Sequence, residues 1–64
     1  MKAHELRVVK EREDLSAKID KLDKFIKTRK AFGDLKVMDQ ELLITQLDSM
    51  RAYSQILKMR ISRF

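Results

Sequence analysis

The stretch "KAFGDLKVMDQELL", residues 30–43, decides the fold, because it holds the only glycine of the chain and separates two long helical patterns. The chain contains no proline, so Gly33 is the strongest signal for the end of a helix. Glycine readily adopts the left-handed conformation that terminates many helices. We therefore predict that Gly33 takes this conformation, ends a first helix and lets the chain turn back over residues 33–36.

Apolar residues on each side of the glycine follow spacings of three, four and seven, which place them on one stripe of a helix. The first stripe comprises Val8, Leu15, Ile19, Leu22 and Ile26. The second comprises Leu43, Leu47, Met50, Ser54, Leu57 and Ile61, widened by Leu42, Tyr53 and Phe64. The patterns predict helix one over about residues 3–32 and helix two over about residues 37–62.

The two stripes also match in register if the chain folds back at residues 34 and 35. The expected layers are Val8 with Ile61, Leu15 with Ser54, Ile19 with Met50, Leu22 with Leu47, and Ile26 with Leu43. Agreement between local patterns and a global arrangement is evidence for that arrangement. The sequence thus predicts an all-α fold, in which residues 1–64 form a single domain built as an antiparallel two-helix hairpin.

Self-association is the next expectation, because 64 residues bury little surface on their own. Disulfides are excluded by the absence of cysteine, and an ordinary zinc site is excluded because there is only one histidine. Apolar residues outside the two stripes would remain exposed to water in a single hairpin. They are Leu6, Val9, Met38, Ile44, Ile56 and Met59. We predict a homo-oligomeric helical bundle, with scattered surface apolar residues as the simpler alternative.

The net charge of +5 favours an anionic partner. Its distribution offers a second explanation, since in a hairpin the basic residues 24–30 lie beside the acidic Glu41 and Asp48. The basic residues 51–63 would likewise lie beside the acidic residues 5–14. We therefore expect much of the charge to pair between the helices, leaving a residual positive surface at the open end.

Polar residues cluster at that open end, beside the apolar stripe of helix one. His4, Arg7 and Glu11 lie one turn apart and face Tyr53 and Arg60 of helix two. One interpretation is an anion or nucleotide pocket, with Arg7 and Arg60 as forked donors and Tyr53 or Phe64 as a stacking surface. The other is a structural lock, in which Glu11 forms a salt bridge with Arg60 and His4 is hydrogen-bonded.

Enzymatic motifs are missing from the sequence. One glycine cannot build a phosphate-binding loop or a dinucleotide fingerprint, and neighbouring acids such as Glu13 and Asp14 diverge on a helix. We expect no catalytic residues, no metal and no cofactor. No apolar run is long enough for a membrane span or a signal peptide, so we expect a soluble protein without a membrane partner. The interleaved basic and aromatic residues 51–64 suit single-stranded nucleic acid only superficially, and nucleic acid is the least favoured partner.

The chain also resembles the short phage-encoded proteins related to a crAss-like phage product. The similarity rests on His4, "RVV" at 7–9, "FI" at 25–26 and the terminal "RISRF", which matches an Arg-Ile-x-x-Phe ending. It spans nearly the whole length, although Ala3 replaces a common proline and "LKVMD" replaces a usual Asp-Pro helix start. The resemblance implies a phage or prophage accessory protein, and small helical phage proteins of this kind often counter host defences.

Together these observations give three candidate functions from different classes. The first is stoichiometric, anti-defence capture of an anionic host ligand such as a cyclic nucleotide signal, by analogy with helical oligomeric anti-CBASS sponges. The second is a coiled-coil-type inhibitor or regulator of a host protein, such as a defence protein. The third is nonspecific nucleic-acid binding. All three place the protein in the host cytoplasm and treat a second copy of the chain as a partner.

Overall fold

The computed structural model describes all 64 residues and contains only helices. Helix α1 spans Ala3–Thr28, helix α2 is a short segment, Lys30–Gly33, and helix α3 spans Val37–Ser62. The all-helical class predicted from the sequence is therefore confirmed. The number of helices differs from the prediction, because helix one does not run unbroken to residue 32.

The long helices α1 and α3 pack against each other and form a rod of 45 × 15 × 13 Å. Three contacts along the rod define the relative direction of α1 and α3. His4 lies against Phe64, Asp23 binds Arg51, and the Gln40 amide donates a hydrogen bond to the Phe32 carbonyl. The start of α1 therefore meets the end of α3. Neither long helix has an apolar stretch of the length that crossing a membrane requires.

The packed seam is narrow. Only three side chains are buried, namely Val8, Leu47 and Leu57, and of these Leu57 is fully enclosed. The other residues of the two predicted stripes are half-buried, whereas Leu42, Tyr53 and Phe64 remain exposed. A seam of this width is what a helix surface offers when only residues three and four apart face the neighbour.

Helix α1 ends at Thr28 because Arg29 adopts an extended conformation, with φ −95° and ψ 126°. The hydroxyl of Thr28 donates a hydrogen bond to the Lys24 carbonyl, a local bond that weakens the continuation of a helix. The interruption lets Phe32 approach Phe25 edge to face, with ring centroids 6.1 Å apart. In an unbroken helix their Cα atoms would be about 10.5 Å apart along the axis.

The prediction for Gly33 was wrong. Gly33 lies inside α2 and its φ is not positive, so it is not a left-handed cap. The turn is closed instead by the side chain of Gln40. Its amide nitrogen lies 3.0 Å from the Phe32 carbonyl oxygen, 3.2 Å from that of Leu35 and 3.3 Å from that of Gly33. Because an amide has two protons, the three carbonyls share them.

Replacing Gly33 by alanine should stabilise the protein by about 0.4–1 kcal/mol, because the substitution reduces the freedom of the unfolded chain. A Cβ at this position meets no atom within 4 Å. Urea denaturation measures the effect, and the reverse change in the same helix, Ala31→Gly, should lose a similar amount. Destabilisation by Gly33→Ala would mean that the glycine is left-handed after all.

Replacing Gln40 by alanine should cost about 1–2 kcal/mol, because three turn carbonyls lose their shared donor. The matched control is Gln55→Ala, since Gln55 lies in the same helix, is exposed and makes no hydrogen bond with its side chain. Urea denaturation of both variants gives the comparison. Equal stability of the two variants would show that the turn does not depend on this amide.

Candidate functional site

A surface cavity of about 230 Å³ lies between the first half of α1 and the end of α3. Its lining residues are Val9, Arg12, Glu13, Ser16 and Ile61. Four of them come from α1 at spacings of three and four residues, which bring side chains onto one face of a helix. Ile61 contributes an apolar wall from α3, so the cavity exists only because the two helices are packed.

Arg12 is the distinctive member of this lining. Its Nε atom is buried and has no hydrogen-bond partner within the protein, and its guanidinium takes part in none of the three salt bridges of the chain. A buried donor without a partner is costly, and native proteins rarely leave one unpaired. A guanidinium in this state is suited to an anion that accepts two parallel hydrogen bonds, such as a phosphate or a carboxylate.

The remaining polar residues define what else the cavity accepts. The Glu13 carboxylate accepts hydrogen bonds, and the Ser16 hydroxyl both donates and accepts them. A simple anion would be repelled by Glu13, whereas a ligand that carries hydroxyl or amino donors next to its anionic group would satisfy both charges. No group of three or more potential metal ligands occurs in the structure.

The five site residues predicted from the sequence are not brought together here. His4 contacts Phe64 edge to face, with centroids 6.3 Å apart, while Arg7, Glu11 and Arg60 are exposed and unpaired. Tyr53 is also exposed, at 42% of its surface. None of the five lines the cavity. The expected salt bridge between Glu11 and Arg60 does not form, so the structural lock at the open end consists of the two rings alone.

The comparison with protein families decides the relationship of the chain. The Sequestin family matches residues 2–63. The chain belongs to the Sequestin family. It is also 39% identical over 64 residues to the "Uncharacterized 7.5 kDa protein in denB-rIIB intergenic region" of Enterobacteria phage T4. That alignment covers 100% of this chain and 98% of the phage protein. No solved structure matches the chain.

These matches place this Sequestin among small phage proteins, as the sequence predicted. A relation to a crAss-like phage product has no support from either match and stays a prediction. The phage T4 relative carries no assigned activity in its description, so the family relationship alone names no ligand.

Sequence reasoning missed Arg12 in this Sequestin because the surrounding run, "KEREDL" at residues 10–15, is dominated by charge. A signal was nevertheless present. Arg12 lies four residues after Val8 and three before Leu15, so it borders the apolar stripe instead of facing water. An arginine at such a position is expected to lay its long side chain along the stripe.

Pairing of charges between the helices is also much weaker than expected. Only one ion pair connects α1 to α3, and it joins the Arg51 guanidinium to the Asp23 carboxylate at 3.0 Å. Lys27 binds the other oxygen of the same carboxylate at 3.2 Å. The hydrogen bond and the positive charge of Lys27, with a smaller contribution from Arg51, lower the pKa of Asp23 below its ordinary value, and desolvation of the carboxylate opposes them only in part.

This lowered pKa predicts how stability depends on pH. The Asp23 contribution is present above its unfolded pKa of about 3.9 and disappears as the pH falls through the lower folded value. Wild type should therefore have a higher Tm than Asp23→Asn at pH 7, and the gap should close below about pH 4. Asp20→Asn is the matched control, since Asp20 is exposed and unpaired. A pH-independent gap would contradict the ion pair.

Proposed function

We propose that this Sequestin is a phage accessory protein that captures a small anionic host molecule, without catalysis, in the cavity lined by Arg12. Arg12 carries the proposal, because it lines the cavity, forms no salt bridge and has a buried Nε that would gain a partner if the guanidinium turned toward a ligand oxygen. The name of the family supports sequestration as the mode of action. The phage relationship is compatible with a role against a host defence, which is part of the proposal.

Nucleotide signals, cyclic nucleotides included, are the ligand class that this cavity favours. A phosphate would bind the Arg12 guanidinium, while ribose hydroxyls or an amino group would donate to Glu13. The net charge of +5 attracts such anions before they bind. At about 230 Å³ the cavity is smaller than the roughly 300–1,000 Å³ of pockets that enclose drug-sized ligands. One subunit would therefore hold a phosphate and its sugar, with the rest of the nucleotide outside the cavity.

The working unit that we propose is an antiparallel hairpin of α1 and α3 within a homo-oligomer, in the cytoplasm of the infected cell. A hairpin suffices for the cavity, because its five lining residues all come from one chain. The oligomer supplies stability that a seam with three buried side chains lacks.

A second candidate function is inhibition of a host protein through an exposed helix face. The observation in its favour is that α3 exposes several large apolar side chains, including Met38, Leu42 and Ile56. Helix-in-groove recognition uses such faces. It would leave the unpaired Arg12 donor unexplained, which is why capture of a small anion is the first proposal.

The test is calorimetric titration with cyclic di- and trinucleotides, linear nucleotides and inorganic phosphate. We expect one nucleotide class to bind at one molecule per chain, and Arg12→Gln to weaken binding about 10- to 150-fold, as loss of a hydrogen bond to a charged group predicts. Arg7→Gln is the matched control, because Arg7 lies at the open end on the same helix. Ligand recovered unchanged after denaturation of the complex would agree with capture without turnover.

Two results would contradict this proposal. Absence of binding by every nucleotide would remove capture and favour the protein inhibitor. Loss of binding in Arg7→Gln with none in Arg12→Gln would move the site to the open end, to His4, Arg7, Glu11, Tyr53 and Arg60. Thermal shifts give an independent readout, since a ligand at 100 times its Kd stabilises the folded state by about 2.7 kcal/mol.

A further inference from the structure

The surface of α3 that faces away from α1 carries a second apolar stripe, which the cavity does not use. We call it the outer face. It follows alternating spacings of four and three and comprises Met38, Leu42, Thr45, Ser49, Ala52, Ile56 and Met59. All seven residues are exposed, and the four large ones expose 63%, 60%, 49% and 52% of their surface in chain order. Such spacing is the signature of a seam between two helices.

The corresponding surface of α1 is different. There, one large apolar residue, Leu6, is exposed, and the rest of the surface is mainly charged. The charged and small residues are Lys10, Ala17, Asp20 and Lys24. Two helices of equal length, 26 residues each, therefore present one polar and one apolar outer surface. The contrast shows that the apolar face of α3 is a specific feature of that helix.

The outer face is arranged almost symmetrically about Ser49. Large residues occupy both ends, with Met38 and Leu42 before the centre and Ile56 and Met59 after it. Small side chains fill the middle, namely Thr45, Ser49 and Ala52. A helix with this order of sizes is complementary to a second copy that runs in the opposite direction, because large ends overlap and small centres meet.

We propose that the outer face binds the same face of a second copy of the chain, antiparallel and with the two-fold axis close to Ser49. The two hairpins then form a row of four helices with the two α3 helices at its centre. A two-fold axis requires a self-complementary patch, which the symmetry about Ser49 provides. Small residues at the crossing allow a short distance between the helix axes. This inference specifies the homo-oligomer of the proposed function but does not rest on the cavity, since no outer-face residue lines the cavity.

Charges at the edge of the face select the antiparallel direction. Asp39 and Arg60 lie on the same edge, one near each end of α3. An antiparallel pair brings Asp39 within one turn of Arg60 in the second copy, and does so twice. A parallel pair leaves them roughly 30 Å apart, at 1.5 Å per residue. Antiparallel helix dipoles also attract each other. On the opposite edge Asp48 faces its own copy near the axis, a repulsion that the interface has to tolerate.

The exposed surface agrees in size with such a contact. The chain exposes 5171 Å², whereas a compact monomer of 7.6 kDa exposes about 4,300 Å². The excess, about 900 Å², compares with roughly 800 Å² that each partner buries in an interface of standard size. One additional helix contact is therefore enough to give this elongated chain the surface of an ordinary folded protein.

The first test places a charge at the centre of the outer face. Light scattering after size exclusion, or sedimentation at about 100 µM, should give wild type a mass twice the 7.6 kDa of the chain. Ala52→Glu should give a monomer. Ala17→Glu is the matched control, because Ala17 is also an exposed alanine within a long helix, and it should stay dimeric. Monomeric wild type, or a dimeric Ala52→Glu protein, would overturn the proposal.

A second test does not depend on the folding of Ala52→Glu. Asp39→Arg and Arg60→Asp should each raise the Kd of the dimer about fivefold, since each creates two like-charge contacts at the rim. The double variant exchanges the charges and should restore most of the affinity. Asp48→Asn should tighten the dimer, and Arg12→Gln should leave it unchanged. A double variant no tighter than the single variants would refute the antiparallel register.

Discussion

The rest of the structure depends on one constraint, which is that a single narrow seam must hold two long helices together. Each helix turns one stripe toward the other, and only Val8, Leu47 and Leu57 become buried. Burying a side chain of this kind contributes about 1.5–3 kcal/mol, so the three together supply only a small part of what is needed to offset the ordering of the chain. The seam fixes the register of the helices but leaves little stability in reserve.

This constraint explains why the position of the two helices depends on the turn and on contacts beside the seam. With a thin seam, the relative position of α1 and α3 has to be set by a few directed contacts. The Gln40 amide closes the turn at one end of the rod, and His4 lies against Phe64 at the other end. Between these ends, the ion pair of Asp23 with Arg51 joins α1 to α3. These contacts are distributed along the whole rod. Each is weak alone, and their spacing restricts sliding and rotation.

The sequence was sufficient for the parts of the structure that depend on periodicity, and insufficient for those that depend on the reach of a side chain. The stripe that contains Leu47 and Leu57 follows from helix geometry, and α3 covers the predicted range. Gly33 was misread because conformational freedom is not the same as a left-handed conformation, and the break at Arg29 has no glycine or proline to mark it. Gln40 and Arg12 were missed because a long polar side chain acquires its role only when the neighbouring helix is in place. The predicted register set Glu11 opposite Arg60, yet both side chains stay in water, where the free energy gained by pairing is small.

Separating the cavity from the outer face of α3 has a consequence for how capture would work. Ile61, the only cavity residue from α3, belongs to the seam with α1, whereas the outer face lies on another side of the helix. A dimer through the outer face would therefore keep both cavities open and leave each ligand bound by one hairpin. Within the folded hairpin, ligand binding and dimerisation should then affect each other little, since neither event changes contacts made by the other, and they are coupled only through the folding equilibrium that both favour. Capture without turnover removes at most one ligand per cavity, so its effect depends on the amount of folded protein. In this arrangement the dimer increases that amount by stabilising the hairpin, and Arg12 determines which anion is removed.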